Sequence, residues 1–406
     1  MARSPLLPVE DALARILATA SKPLDAETVP LADSLGRRLA ADLAARRTQP
    51  PCAVSAMDGY AVRAADIATV PARLRVIGAS AAGHGFRGCV SPGEAVRIFT
   101  GAPVPEGADT ILIQEDASAE NGDVTALAVE PPGRYVRRAG LDFSAGDVLL
   151  KAGRRMGPSE MALAAAMNHA SVSVVRRPRV AILATGDELV PPGAEPGPDQ
   201  IVASNNFAVG AHARQAGAEV IDLGIAGDNF AALEAAIRRA RDVRADVLVT
   251  LGGASVGDHD LVQTALTREG MELGFWRIAM RPGKPFMHGR IGDTRILGLP
   301  GNPVAAIVCA ALFLAPLVRA LTGDPDAGAD PTRPGVLGAD LAENDQRQDY
   351  LRATLSGGHS GPAVVTAFTR QDSSMLGVLA QAHALIVRPP FAPPAKAGDP
   401  CRYLPI

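Results

Sequence analysis

Between Arg179 and Gly323 the chain alternates short apolar runs with segments of helical spacing, and this alternation constrains the fold more than any other feature. The runs at 180–184, 220–224, 247–251 and 296–299 are separated by helix-patterned stretches near 206–216, 230–241 and 261–269, and a long helix is expected from Asn302. Strand and helix in succession imply βαβ units, and therefore a parallel sheet covered by helices on both faces. In such a sheet ligands bind beyond the carboxyl ends of the strands. The residues directly after each strand are thus the first candidates for chemistry.

Three such stretches stand out: Thr185-Gly186-Asp187-Glu188, the loop Gly252-Gly253-Ala254-Ser255-Val256-Gly257-Asp258-His259-Asp260, and Pro300-Gly301-Asn302-Pro303. All three are expected on one edge of the sheet. The loop at 252–257 offers close backbone approach and N–H groups for phosphate oxygens ahead of a helix, although a tight strand-to-helix turn needs the same glycines. Asn302 followed by Pro303 fits an N-cap with proline at the first helical position, serving either a ligand or the helix alone. Glu188, Asp228, Asp258 and Asp260 lie at or near these ends. Each suits an N-cap by itself; together beside a phosphate site they suggest Mg²⁺, which takes oxygen ligands. Arg281 and Lys284, on the proline-stiffened segment 280–285, add two cations suited to an oxyanion.

Gly253-Ala254-Ser255-Val256-Gly257 also matches the G-x-S-x-G nucleophile elbow, with His288, His359 and His383 downstream. Charge at Asp258 and Asp260, where the elbow helix should begin, argues against a serine hydrolase.

A length of 406 residues predicts two to four domains. Residues 8–45 read as two helices. From 48 to 140 the pattern changes to short β stretches at 74–77, 95–99, 110–113 and 124–129, split by Gly/Pro turns. A helix capped by Ser159 and a strand at 171–175 follow, and that helix could pack back on the first ones. Residues 323–334, rich in Gly, Pro and Asp, form a linker ahead of a final β region. The expected domains are 1–47 with 141–178, 48–140, 179–323 and 335–406. The fold class is therefore multidomain: a central doubly wound α/β domain, an inserted β domain, a discontinuous helical domain and a small C-terminal β domain.

The formal net charge of −3, with 40 Lys and Arg dispersed along the chain, shows no nucleic-acid footprint. The four cysteines have no CxxC spacing and read as reduced thiols of a cytoplasmic protein. Glu10 and Asp11 break the apolar stretch a secretory signal needs. The apolar run 303–318 is short for a bilayer span and contains Pro316, so a buried helix is expected and no membrane role.

Ser55-Ala56-Met57-Asp58-Gly59-Tyr60-Ala61-Val62, the segment 97–115 (RIFTGAPVPEGADTILIQE), the three strand-end motifs and Arg281–Pro285 together resemble the MoeA family, the molybdopterin molybdenumtransferases, related to the E domain of gephyrin. The resemblance runs in order along nearly the whole chain. It implies an elongated four-domain homodimer whose cleft is shared between the α/β domain of one subunit and the β domain of the other. It also implies an activity: adenylylated molybdopterin and molybdate are taken, the pyrophosphate bond is cleaved with Mg²⁺, AMP leaves, and molybdenum stays on the dithiolene sulfurs.

Carried over residue by residue, the resemblance implies that Asp58 and Thr100 reach the partner's cleft. Glu188, Asp228 and Asp260 would organise Mg²⁺ and phosphates, with Asp258 beside them. Gly252, Gly253, Ser255 and Gly257 would hold the pterin end, and Pro300, Asn302 and Pro303 would close the pocket. Lys284 would bind molybdate with Arg281, Arg352 and Ser373, and Asp142 resembles an acid near the family's hinge. The chain departs from the family pattern at Arg281, where lysine is usual, at Ala305, where many relatives carry serine, and at Asp372, where a Gly-Ser start is usual. A molybdopterin adenylyltransferase is a second reading and a possible partner, but the Thr-Pro-Glu typical of that enzyme does not follow Asp260. A non-catalytic molybdopterin-binding scaffold is a third, against which the retained cleft acids speak.

Overall fold

The computed structural model describes residues 6–253, 261–357 and 361–406. Two compact units make up the chain, one formed by the residues up to Glu27 with Val175–Ile406 and the other by Thr28–Val174.

The first unit is built on a six-stranded sheet. Its order is Glu219–Ala226, Arg179–Thr185, Val247–Leu251, Thr294–Leu299, Met287–Ile291 and Glu272–Trp276. The first four strands run parallel; Met287–Ile291 runs antiparallel to them and Glu272–Trp276 antiparallel to it, which corrects the expectation of a wholly parallel sheet. The cause is local. Ile291 pairs with Thr294 across Gly292-Asp293, and Gly292 takes φ +57°, so a two-residue hairpin adds a strand that the sequence reading did not include.

Alternate residues of the parallel strands face opposite layers. Val180 and Ile182 join the core under the helices Val9–Ala18, Asn205–Gln215 and Pro303–Cys309, while Ala181 and Leu183 join the core under Phe230–Asp242 and Leu261–Arg268. Both faces are covered, as the strand pattern requires. The helix starting at Pro303 runs on to Leu321, 19 residues with a mean hydropathy of 2.3, long and apolar enough to cross a bilayer. Pro316 does not interrupt it, contrary to expectation. A single π turn over Ala310–Leu314 precedes the proline and takes up the hydrogen bond and space it denies to a regular helix. In this fold the helix lies in the core: Phe313, Leu314, Leu317 and Val318 are fully buried.

The C-terminal strands Gln348–Gly357, Ala363–Ala367, Arg333–Leu337, Pro400–Pro405 and Ala384–Arg388 pair in that order, and the last closes back on the first. Leu337, Ala353, Val365, Ile386 and Tyr403 fill this five-stranded barrel. Closure leaves no free edge.

In the second unit, Thr110–Ile113, Gly59–Val62, Glu94–Ile98, Ala72–Ser80, Asp123–Ala126 and Ala117–Glu120 form a six-stranded sheet in that order. The run expected at 124–129 stops at Ala126, beyond which Leu127 and Val129 are exposed. The flanking segments converge on a core of Leu39, Leu43, Phe143, Met156, Ala164 and Met167.

Only one of the two helices expected within 8–45 forms. Pro23 and Pro30 end helical pattern after Ala18, and Leu43–Ala44 pairs instead with Val148 and Leu150. The first helix packs with the α/β layers of its own unit, and the helix Pro158–Ala166 packs on residues 29–45 of the second. That helix starts at Gly157, not at Ser159: Pro158 occupies its first position, and Glu160 accepts a hydrogen bond from the Gly157 N–H at 3.1 Å.

Candidate functional site

The adjacent parallel strands ending at Thr185, Leu251 and Leu299 deliver their following residues to one cleft of about 800 Å³. Thr185, Gly186 and Glu188 line it from the first strand, Gly252 and Gly253 from the second, and Pro300 to Pro303 from the third. Asp228 enters beyond Glu219–Ala226, and Ser374 from the loop before the last barrel strands. The shared edge inferred from the sequence is therefore where the structure places these residues.

The glycines are required by geometry. Gly252 has φ +98°, and a Cβ there would stand 2.8 Å from the Thr185 carbonyl oxygen. Gly253 has φ +65°, with its would-be Cβ 2.1 Å from Val262 Cγ2. A side chain at either position would push neighbouring elements apart.

Helix starts surround the cleft. Ser204, Asn205 and Asn206 line it at the start of Asn205–Gln215, Leu261 and Val262 at the start of Leu261–Arg268, and Asn302 and Pro303 at the start of the long core helix. Helix starts concentrate N–H groups and positive dipole ends, which favours anions at this edge, although the Val304 N–H already donates to the Ser373 carbonyl at 3.0 Å. Neither Ser204 nor Asn302 caps its helix with its side chain. Asn302 Nδ2 donates instead to Ser373 Oγ at 2.9 Å, and Asn205 Nδ2 to the Gly301 carbonyl at 2.7 Å. The Ser-Asn-Asn at 204–206 escaped the sequence reading. Its signal was a run of capping residues just before a helix pattern, without glycine to draw attention to it.

Glu188 and Asp228 both line the cleft, and among the described residues neither carboxylate has a hydrogen-bond or ion-pair partner. Oxygen donors of this kind fit a hard cation such as Mg²⁺. No group of three or more metal-ligating side chains occurs among the described residues. Asp260, expected as the third, lies outside them, as do Ser255, Gly257 and Asp258.

The expected oxyanion residues have different surroundings. Arg281 is half exposed and directed to the barrel: its guanidinium pairs with Asp345 at 3.5 Å and contacts Asp349. Asp349 is 3% exposed, and burial pushes its carboxyl up against the pull of Arg281. Arg281 is thus engaged in ion pairs with the barrel. The Lys284 ammonium has no ion pair among the described residues, and the next residue, Pro285, lines the cleft. Arg352 is buried in the barrel strand, and desolvation lowers its pKa. Ser373 touches Asn302, but it is Ser374 that lines the cleft, with its hydroxyl donating to Asp372 Oδ1 at 2.6 Å.

In the second unit, Asp58 and Thr100 are hydrogen-bonded to each other. Asp58 Oδ1 accepts from both the N–H and the hydroxyl of Thr100 at 2.7 Å each. The Thr100 hydroxyl first, and then its N–H, hold the Asp58 carboxyl below the ordinary range. Arg97 braces this turn, donating to the Gly59 carbonyl at 3.2 Å and to Gln114 at 2.8 Å. Asp142 is exposed, with its N–H donating to the Gln49 carbonyl at 3.0 Å.

Fold and cleft together define a multidomain α/β protein whose ligand site lies at the strand ends of a doubly wound domain followed by a small closed barrel. Matching family models cover nearly all of it: the MoeA N-terminal region (domain I and II) over residues 7–168, a "Probable molybdopterin binding domain" over 181–320, and the MoeA C-terminal region (domain IV) over 334–406. The molybdopterin molybdenumtransferase of Haemophilus influenzae is 34% identical over 94% of each chain. That of Bacillus subtilis is 36% identical, covering 95% of this chain and 91% of its own. The crystal structure of a molybdopterin biosynthesis MoeA protein from Pyrococcus horikoshii superposes with a TM-score of 0.86 over 99% of both chains, at 31% identity. The chain belongs to the MoeA family.

Proposed function

We infer that this chain is a transferase of molybdenum cofactor synthesis that inserts molybdenum into molybdopterin. The observation that carries this reading is the strand-end cleft, where two carboxylates without a partner among the described residues face three helix starts and two obligatory glycines, in a chain similar over almost its whole length to molybdopterin molybdenumtransferases. The finer proposal is that the substrate arrives adenylylated, that its pyrophosphate bond breaks, and that AMP departs as molybdenum settles on the dithiolene sulfurs.

Each part of the cleft has a task in that reaction. Helix-start N–H groups bind phosphate oxygens, which carry the substrate's charge. The half-exposed Leu189 and the exposed Ile201 and Val202 form an apolar wall for the pterin ring. Glu188 and Asp228, with Asp260 expected beside them, would hold Mg²⁺, which when bound supplies charge neutralisation at the phosphate oxygens. Lys284 and Arg352, with Ser373, would receive molybdate as a tetrahedral dianion. In a homodimer, Asp58 and Thr100 of one subunit would serve the cleft of the other, with Asp142 near the hinge; the adenylyltransferase of the pathway would deliver the substrate.

Glu188→Gln and Asp228→Asn are expected to abolish AMP release while leaving molybdopterin binding measurable by fluorescence. Full turnover in both variants would remove these carboxylates from the reaction.

A further inference from the structure

Arg352 sits in the barrel strand Gln348–Gly357 and is 1% exposed. A buried guanidinium ordinarily takes a carboxylate partner, since an unpaired buried charge is costly. The acceptors that Arg352 has among the described residues are all neutral. Its Nε donates to Gln371 Oε1 at 3.2 Å, and its two terminal nitrogens donate to the Met375 and Arg370 carbonyls at 3.3 and 3.4 Å. The terminal pair are long bonds, and a guanidinium carries five N–H donors, so part of its donor capacity is unused.

Gln371 is what holds this arrangement. Its Oε1 also accepts from the Arg352 N–H at 3.0 Å, and its Nε2 donates to the Arg352 carbonyl at 3.0 Å and the Phe368 carbonyl at 2.9 Å. One amide therefore clamps the main chain and side chain of Arg352 and begins the loop that carries Ser373 and Ser374. A glutamate would occupy the same space, but it would neutralise the guanidinium and give up both Nε2 donations. The acid next in sequence, Asp372, turns its Oδ1 to the N–H and hydroxyl of Ser374 at 2.8 and 2.6 Å.

We propose that Gln371 is a positioning residue that anchors Arg352 through a neutral amide, leaving the buried cation without a hydrogen-bonded carboxylate among the described residues, so that its charge acts on a tetrahedral oxyanion bound at the 372–374 loop. The proposal rests on reading Arg352 and Ser373 as the oxyanion site.

The test compares Gln371→Glu, Gln371→Met and Arg352→Met in the full-length protein. Molybdate KM and kcat are measured in the complete reaction, molybdate binding by calorimetry, and folding by circular dichroism. Gln371→Glu is expected to raise molybdate KM and Kd tenfold or more with kcat within about twofold. Gln371→Met, which loses the anchor but keeps the charge, is expected to raise them only severalfold. A Gln371→Glu effect no larger than that of Gln371→Met overturns the role assigned to the neutral amide. Should Gln371→Glu not fold, a Gln371→Met variant with unchanged molybdate Kd overturns the positioning role. Unchanged molybdate binding in Arg352→Met overturns the oxyanion site itself, so the two failures are distinguishable.

Discussion

Replacing Gly252 with alanine asks whether the strand-end turn is shaped for the cleft. At φ +98° a residue with a Cβ is strained, by about 1–2 kcal/mol. The added carbon would also lie 2.8 Å from the Thr185 carbonyl oxygen and 3.1 Å from its hydroxyl. A backbone oxygen in a paired strand cannot rotate aside, so the strand ends must separate, at a cost of about 1–3 kcal/mol by analogy with overpacked cores. The total is roughly 2–5 kcal/mol, concentrated where Thr185 and Gly252 border the site.

Gly270 supplies the control, because it has φ +90° with nothing within 4 Å of its would-be Cβ. Gly270→Ala should therefore cost only the backbone part, about 1–2 kcal/mol. Unfolding of a chain with several domains is not a single two-state event, so hydrogen exchange in the strands Arg179–Thr185 and Val247–Leu251 is the better measure. Gly252→Ala should lower protection there and weaken molybdopterin binding at least tenfold. Protection equal to that of Gly270→Ala, with molybdopterin binding unchanged, would refute the reasoning.

Two further predictions come from the charged loops. Thr100→Val removes the largest of the influences that depress Asp58, so its carboxyl should titrate at higher pH by NMR. A depressed carboxyl adds stability above its unfolded pKa that is lost as pH falls through its folded value, so the variant has less to lose and its loss is complete at a higher pH. If Asp58 acts in the reaction, the acid limb of activity should move the same way; an unmoved limb separates it from the chemistry. Asp372→Gly removes an exposed negative charge beside the proposed oxyanion position and should lower molybdate KM severalfold at low salt; a higher KM would displace that site.

The α/β domain was legible because buried parallel strands are continuous apolar runs and their ends carry glycine, proline and acids. Thr185, Gly252 and Pro300 could be placed on one edge by that logic alone, and the Asp58 and Thr100 loops by family resemblance. The second helix was misread because Leu39 and Leu43 keep a helical interval, yet a distant partner, Val148 to Leu150, recruits Leu43 and Ala44 into pairing. The Gly292-Asp293 hairpin was written in the sequence and overlooked. Gln371 and Asn205 were beyond reach for another reason: an amide declares nothing by its spacing, and its meaning lies in the carbonyls of Arg352, Phe368 and Gly301 that the fold brings to it. Arg281 shows the converse, a cation at the expected position whose buried partner, Asp349, lies 68 residues away.

The central claim is that molybdenum insertion at this cleft is tied to loss of AMP from an adenylylated substrate. A single-turnover reaction of the purified protein with adenylylated molybdopterin and molybdate tests it most directly, with AMP followed by chromatography and protein-retained molybdenum by mass spectrometry. The account predicts equal amounts of AMP and bound molybdenum with Mg²⁺ present, and neither after chelation with EDTA. Molybdenum retained without AMP release, or AMP released at the same rate without Mg²⁺, would contradict it.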